Sequence, residues 1–244
     1  MADRVVPILA LTLGVALACV SAWWVHHTER AQRLSQLEQD GAARIMDLAR
    51  EVELTVEGVR PLALLFESSE EVTRSEFQRF AQEILRRQPL LESLAWLPRL
   101  EDVDRDAFEA SRRAEGVADF EIRDRAGYRR FARAPRRDAY YPVDFIEPWE
   151  ENPLIVGSDV GIGAPSEHSA LTRSLRSRDL TVSALFDLDW LPDRRRAVHV
   201  YAPVFDQSGK APEANTEQRA IGAVLGTFDI ERLLRGAAKD DAAP

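Results

Sequence analysis

The first hydrophobic run of the chain lies at residues 5–25 and contains no charged side chain. It is 21 residues long, and a helix needs ~20 apolar residues to cross the ~30 Å hydrocarbon core of a bilayer. Trp23 and Trp24 lie at its far end, where aromatic rings meet lipid headgroups. We therefore predict a transmembrane anchor over residues 1–27.

Two alternatives remain for this run, a cleaved signal peptide and a lipoprotein signal. Residues 16–19, Ala-Leu-Ala-Cys, resemble a weak lipoprotein cleavage site with Cys19 as the acyl acceptor. The apolar run continues past Cys19, and its length favours an uncleaved anchor. The flanking charges do not decide the orientation, because arginine occurs on both sides of the run.

Residues 28–66 show a helical pattern with no proline before Pro61. Apolar positions follow one another in steps of three or four, as in a coiled-coil seam: Leu34, Leu37, Gly41, Ile45, Leu48, Val52, Thr55, Val59 and Leu62. This stalk helix either pairs with a second copy or packs on its own domain. We expect pairing near the membrane, giving a homodimer held by the stalk and the membrane span, and packing on the body further out.

Shorter elements follow the stalk. Thr73 or Ser75 can cap a helix that Pro89 ends, and a helix over residues 104–115 would stop at Gly116. Strand-like patterns occupy residues 91–97, 120–123, 140–146, 181–188, 197–205 and 220–228. The remaining segments predict a loop or hairpin up to residue 137, a hairpin loop over 206–217 and a short helix over 229–234. This mixture indicates an α+β fold with antiparallel hairpins.

Composition restricts the partners of the chain. A net charge of -9 and a pI of about 5.1 argue against binding to nucleic acid. Cys19 is the only cysteine, so no intrachain disulfide and no cysteine metal site can form. His26-His27 lack a third ligand at suitable spacing, and Asp187 with Asp189 resembles a metal-binding acid pair only weakly. We expect no metal and no cofactor.

Residues 139–183 combine aromatic side chains, an acid-rich loop and a Gly-x-Asp turn, which suits a small ligand with an apolar body and a few polar edges. Tyr141 and Phe145 would share one face of a strand, either as plain core or as a pocket wall. Asp159 is either a turn former or a hydrogen-bond acceptor for a ligand. Glu147 and its neighbours Glu150 and Glu151 are expected to be solvated loop acids. The stretch lacks the paired nucleophile and base that catalysis requires.

Several segments in this order resemble the CHASE domain, an extracytoplasmic sensory module that precedes histidine kinases and nucleotide cyclases. They are LESLAWLPRL, DRDAFEASRR, YYPVDFIEP, GSDVG, ALTRSLRSRDLTVSALFDL, VHVYAPVF and IGAVLGTFDIERLL, within residues 62–234. The resemblance implies a long stalk helix and tandem PAS-like antiparallel sheets, acting as a dimer. The length of the first hydrophobic run adds the N-terminal transmembrane helix. The sensor would cover residues 67–236, with a membrane-distal sheet over about 73–200, a membrane-proximal one over about 201–236, and a tail over 237–244.

Characterised CHASE domains bind ligands such as cytokinins in the distal sheet. Carried onto this chain, the resemblance implies a ligand-binding set of Tyr141, Phe145, Asp159, Ser183, Leu185, Leu188 and Val200. Many relatives have an arginine at the start of the helix after the Gly-x-Asp turn, whereas this chain has Glu167 and His168. The charge preference of the ligand is therefore open.

We predict a periplasmic, ligand-binding input domain of an inner-membrane signalling receptor, which senses an unknown small molecule and is not itself an enzyme. The ligand would act by population shift through the stalk on an output domain, such as a histidine kinase or diguanylate cyclase, that this chain does not contain. The chain would then be a fragment or a receptor that needs a partner. The alternatives are a carboxylate-dependent extracytoplasmic hydrolase using Asp159 with Asp187 or Asp189, and a ligand-free dimerisation module.

Overall fold

A computed structural model describes residues 56–162, 165–188, 190–191, 195–206 and 220–230 of the chain. The predicted membrane anchor, the stalk up to residue 55, Asp189 and the C-terminal tail lie outside these residues, as does most of the predicted final helix. No helix in the described ranges has the length and apolar character needed to cross a membrane.

Four α-helices lie in the described residues: α1 Arg60–Ser68, α2 Arg74–Arg87, α3 Arg105–Ala114 and α4 Pro165–Ser177. A short 3-10 helix, Asp102–Asp104, precedes α3. The strands are β1 Leu91–Pro98, β2 Leu100–Glu101, β3 Arg123–Gly127, β4 Arg130–Arg133, β5 Ala139–Tyr140, β6 Phe145–Glu147, β7 Thr181–Val182, β8 Phe186–Asp187, β9 Arg196–Phe205 and β10 Ala220–Asp229. The predicted α+β class is confirmed.

Local signals in the sequence explain the helix boundaries. Thr73 caps α2 through a capping box, in which its side chain accepts from the Glu76 backbone while the Glu76 carboxylate accepts from the Thr73 backbone. Gly116 follows α3 with a φ of 102°, a conformation that glycine adopts without strain. Pro61 lies in the first turn of α1, where its missing N–H costs no helical hydrogen bond. A helix therefore starts at Arg60, inside the stretch over residues 28–66 that we predicted as one stalk helix.

A six-stranded antiparallel sheet forms the centre of the fold, in the order β6-β1-β10-β9-β7, with β8 also paired to β9. The longest pairing runs from Ala220 opposite Phe205 to Asp229 opposite Ala197, so β9 and β10 are antiparallel neighbours. The predicted hairpin loop between them lies, apart from Asp206, outside the described residues. Two small ladders, β2 with β5 and β3 with β4, lie outside this sheet. The predicted arginine-rich hairpin is therefore present as β3 and β4.

The sheet arrangement differs from the tandem sheets that we expected. The boundary near residue 200 falls inside β9, and β10 pairs with β1 on one side and with β9 on the other. Strands assigned to two modules thus join one large sheet in the described residues. Since nine of the ten β10 residues are buried, this strand needs partners on both edges and cover on both faces, which a small separate sheet would not supply.

Two predicted strands are interrupted in the structure. Residues 140–146 divide into β5 and β6, because Pro142 has no N–H to donate and its successors change partners. Val143 donates to the Ser158 carbonyl, whereas Asp144 donates to the Trp96 carbonyl. The run over 181–188 likewise divides into β7 and β8, and the buried Phe120 and Ile122 precede the strand β3.

The two faces of the sheet pack against different partners. One face contacts α1 and α2, and its core includes Leu62, Phe77, Leu94, Val200 and Phe228. The other face is covered by α4 and by the loops between β2 and α4, and its core includes Ala95, Leu171, Leu188, Tyr201 and Leu225. Successive residues of β9 alternate between these faces, as expected for a strand.

Candidate functional site

A group of charged and polar side chains is buried on the sheet face that α4 covers. β9 contributes His199 and Tyr201, which share a face because they are two residues apart. Glu167 belongs to the first turn of α4, and Arg125 extends from β3. The exposed fractions of Glu167, His199 and Tyr201 are 1%, 1% and 0%. We refer to these four residues as the polar cluster.

Glu167 connects the members of the polar cluster. Its Oε1 lies 3.2 Å from Nδ1 of His199 and 3.4 Å from Nη2 of Arg125. Nδ1 of His199 is also 3.2 Å from the Tyr201 hydroxyl. Because Arg125 is an ion-pair partner for Glu167, the negative charge of Glu167 is balanced inside the cluster, as buried charges require.

Burial controls the protonation of this cluster. It lowers the pKa of His199, and the nearby Glu167 counteracts this effect. Burial also raises the pKa of Tyr201 well above its ordinary value, and the charge of Glu167 acts in the same direction. The neutral forms of both rings are therefore favoured at neutral pH, so the ion pair of Arg125 with Glu167 carries the charge of the cluster.

Aromatic rings form a wall beside His199. The Phe186 ring packs edge-on with its centroid 4.4 Å from that of His199, and the Trp190 ring lies at 6.3 Å. The guanidinium carbon of Arg125 lies 5.0 Å from the centre of the Trp190 ring. Polar side chains and flat apolar surfaces are therefore combined in one region, as small-molecule sites require.

Nε1 of Trp190 and Nε2 of His199 are buried in this region and have no hydrogen-bond partner among the described residues. A tryptophan N–H can only donate, and neutral histidine has one donor and one acceptor nitrogen. Buried polar atoms are normally paired, so an unpaired one needs an explanation. The indole N–H of Trp190 and Nε2 of His199 therefore leave one donor and one further nitrogen in this region for an additional hydrogen-bond partner.

Asp159 has a structural environment and is 3% exposed. Its Oδ1 accepts hydrogen bonds from the backbone N–H groups of Tyr141 and Gly161, both at 2.8 Å. Its Oδ2 accepts from Nη1 of Arg137 at 3.0 Å. Burial raises the pKa of Asp159, while the two backbone donors and Arg137 lower it. Of the two sequence interpretations, this geometry matches the turn former.

The predicted aromatic wall of Tyr141 and Phe145 does not form. Tyr141 packs against the core on the α4 side, whereas Phe145 belongs to the core on the α1 and α2 side. The ring of Phe145 lies 5.5 Å from that of Phe77. The interruption at Pro142 is the reason, because the two residues no longer belong to one strand.

The other predicted ligand residues also lie in different parts of the fold. The Ser183 hydroxyl accepts from the His199 backbone at 2.9 Å and donates to the Ala184 carbonyl at 2.8 Å. Leu188 is buried in the α4-side core, whereas Val200 is in the opposite core. Leu185 is 46% exposed. Tyr141, Asp159, Ser183 and Leu188 thus lie on or beside the α4 face, while Phe145, Leu185 and Val200 do not.

The polar cluster was only partly visible in the sequence. Glu167 was noted as a departure from the CHASE pattern, and the alternation of His199, Val200 and Tyr201 places both rings on one strand face. Nothing in the local sequence connects these residues with Arg125 or Trp190. Those contacts depend on how β3 and the loop after β8 fold onto the sheet.

The acidic residues in the described part of the chain offer little to a metal ion. No group of three or more histidine, cysteine, aspartate or glutamate side chains there has a geometry suited to a metal. Asp187 is exposed on β8. Glu147, which we expected to be solvated, is instead buried in β6 and accepts a hydrogen bond from Gln82 at 3.1 Å.

Comparison with known protein families identifies the family of this chain. Residues 70–244 match the CHASE domain, which is an extracytoplasmic sensory domain. The match extends over more than half of the chain, so this chain belongs to the CHASE family and is a sensory input domain. No curated protein sequence matches the chain.

One similar solved structure is the ligand-binding domain of the amino acid chemoreceptor PctC of Pseudomonas aeruginosa PAO1, in complex with GABA. The sequence identity is 13% and the TM-score is 0.46. The alignment covers 79% of this chain and 62% of that one.

Proposed function

We propose that this chain is the periplasmic ligand-binding input domain of an inner-membrane receptor, and that its ligand binds at the polar cluster. One observation supports this site above others. Nε1 of Trp190 and Nε2 of His199 are buried on neighbouring rings, and neither has a hydrogen-bond partner among the described residues. A ligand that accepts from the indole N–H would remove this cost.

The surroundings restrict the chemistry of the ligand. Arg125 and Glu167 already balance each other's charge, so a ligand with a net charge would be buried without compensation. Phe186 and Leu188 supply apolar surface nearby. We infer a small ligand with no net charge, with an acceptor for Trp190 and a flat or apolar part against these side chains.

Binding without chemical conversion is the activity that we propose. A hydrolase based on Asp159 would need that carboxylate to be available as base or nucleophile. Three donors already occupy its two oxygens. Asp187, its suggested partner, is an exposed residue of β8.

The signal would pass through β9. This strand carries His199 and Tyr201 on one face and Val200 on the other, where Val200 belongs to the core that includes α1. A ligand that binds more tightly to one packing of α4 on β9 would shift the population towards that packing. The displacement would reach α1, and then the predicted stalk, homodimer and cytoplasmic output.

Substitution of Trp190 by phenylalanine tests the site, since it retains a ring but removes the N–H. The purified full chain is screened by thermal shift against small uncharged polar molecules, and hits are measured by calorimetry. We expect about tenfold weaker binding for Trp190→Phe, the equivalent of one lost hydrogen bond. The control is Trp96→Phe, because Trp96 stacks on Phe66 on the opposite face. No saturable binder, or equal affinity in Trp190→Phe, would contradict the proposal.

A further inference from the structure

A second region with binding chemistry lies away from the polar cluster, between the start of α2, the end of α3 and β6. It is a cleft of about 250 Å³, slightly below the ~300–1,000 Å³ of typical small-molecule sites. Phe145, Trp149 and Val117 supply its apolar walls, and Arg74 and Glu147 are among its polar residues. We refer to it as the Arg74 cleft.

Arg74 contacts two aromatic rings and one backbone carbonyl in this cleft. Its guanidinium carbon lies 4.7 Å from the centre of the Phe145 ring and 5.5 Å from that of Trp149. Nη1 donates to the Asp144 carbonyl at 3.5 Å. Nη2 is buried and has no hydrogen-bond partner among the described residues. A planar guanidinium is suited to a carboxylate group, which it can bind through two parallel hydrogen bonds.

The nearest acid does not neutralise Arg74. Both carboxylate oxygens of Asp144 accept hydrogen bonds from Arg112, at 2.6 and 2.8 Å. Burial lowers the pKa of Arg74, and the charge of Asp144 offsets this only in part. A ligand carboxylate in the cleft would compensate the partly desolvated charge of Arg74.

Three acidic residues are also part of the cleft wall. Glu147 is buried, while Glu150 and Glu115 are exposed. Burial raises the pKa of Glu147, and the charge of Glu150 raises it further, against the hydrogen bond from Gln82. A ligand with only a negative charge would be repelled by these groups. A ligand that also carries an ammonium group would be attracted by them.

We propose that the Arg74 cleft is a second ligand site, which takes a small apolar zwitterion, with its carboxylate on Arg74 and its ammonium group towards Glu147 and Glu150. This site is separate from the polar cluster and does not depend on the function proposed for it. The apolar part of the ligand packs against Phe145 and Val117. An amino acid of the size of leucine has this chemistry.

Three matched probes test the proposal by calorimetry on the purified full chain. They are L-leucine, 4-methylpentanoate, which lacks the amino group, and 3-methylbutylamine, which lacks the carboxylate. We expect saturable binding of L-leucine and at least tenfold weaker binding of the other two, because each loses one charge-assisted contact. Binding of 4-methylpentanoate as tight as that of leucine, or no binding of leucine, would overturn it.

Variants locate the site. Arg74→Gln is expected to weaken leucine binding at least tenfold, whereas Arg79→Gln, at an exposed position of the same helix, leaves it unchanged. Glu150→Gln changes an exposed loop residue. It is expected to weaken leucine about threefold, in line with a solvent-screened charge, and to leave 4-methylpentanoate unaffected or tighter.

Two further outcomes are decisive. Unchanged leucine affinity in both Arg74→Gln and Glu150→Gln would refute this location. Loss of leucine binding in Trp190→Phe, with both cleft variants unaffected, would assign leucine to the polar cluster instead. That result would overturn the second site while supporting ligand binding at the first.

Discussion

The two faces of the six-stranded sheet differ in what they bury. The face towards α1 and α2 is apolar along β9, where Val200, Ala202 and Val204 pack against the helices. The face towards α4 buries His199 and Tyr201 from the same strand, together with the charged Glu167. Apolar burial stabilises a fold, whereas buried polar groups reduce stability unless they are fully paired. This contrast supports the ligand site that we propose at the polar cluster on the α4 face.

The largest effect is expected on the apolar face. Leu94→Ala removes a fully buried side chain of β1 and should lower the free energy of unfolding by about 2–5 kcal/mol. Chemical denaturation measures this change. The affinity for a ligand of the polar cluster should stay the same. Leu64→Ala, at a side chain that is exposed on α1, is the control and should change stability by less than about 0.5 kcal/mol. If Leu94→Ala weakened binding of that ligand without lowering stability, it would contradict the distinction that we draw between the two faces.

Asp159 tests whether residues on the α4 side act in structure or in binding. Asp159→Ala removes an acceptor for two backbone donors and Arg137, and should cost about 3 kcal/mol of unfolding free energy. Asp159→Asn keeps an acceptor for the backbone donors and should cost less. The control is Asp138→Ala, because Asp138 is exposed and follows Arg137 in the sequence. If Asp159→Ala kept full stability but lost ligand affinity, Asp159 would be a ligand residue after all.

Helices of this fold are predictable from short stretches of sequence, because their signals are local. Thr73 with Glu76 and the later Pro89 define α2, and Gly116 ends α3. The prediction of one strand over residues 140–146 was wrong. Val143 donates to the Ser158 carbonyl and Asp144 to the Trp96 carbonyl, and neither partner can be read from the local sequence. The predicted site residues lie on different sides of the sheet for the same reason. Asp159 stands out in its turn, whereas Glu167 and His199 become a pair only when α4 packs on β9.

The smallest expected effect is the dependence of stability on pH that His199 causes. Its pKa is lowered by burial from an ordinary value of 6.5, with Glu167, Tyr201 and Arg125 as the neighbouring titratable or charged groups. The unfolded chain therefore takes up the proton first as the pH falls. The contribution of neutral His199 to stability is complete above pH 6.5 and is lost as the pH falls through the folded pKa.

Comparison of the protein with His199→Phe isolates this contribution. Each unit by which the pKa is lowered corresponds to about 1.4 kcal/mol. Denaturation curves at pH values above and below 6.5 should show that the wild-type chain loses more stability on acidification than His199→Phe does. Equal losses in the two proteins would show that His199 is not held neutral in the fold.

The indole N–H of Trp190 gives the most direct measurement of ligand binding at the polar cluster. The chain contains five tryptophans, so a proton–nitrogen NMR spectrum gives at most five indole signals, and Trp190→Phe assigns one of them. During titration with a ligand found by the thermal-shift screen, the Trp190 signal should move downfield as its N–H gains an acceptor, while that of Trp96 stays in place. A saturating shift at Trp96 with none at Trp190 would contradict a ligand site on the α4 face.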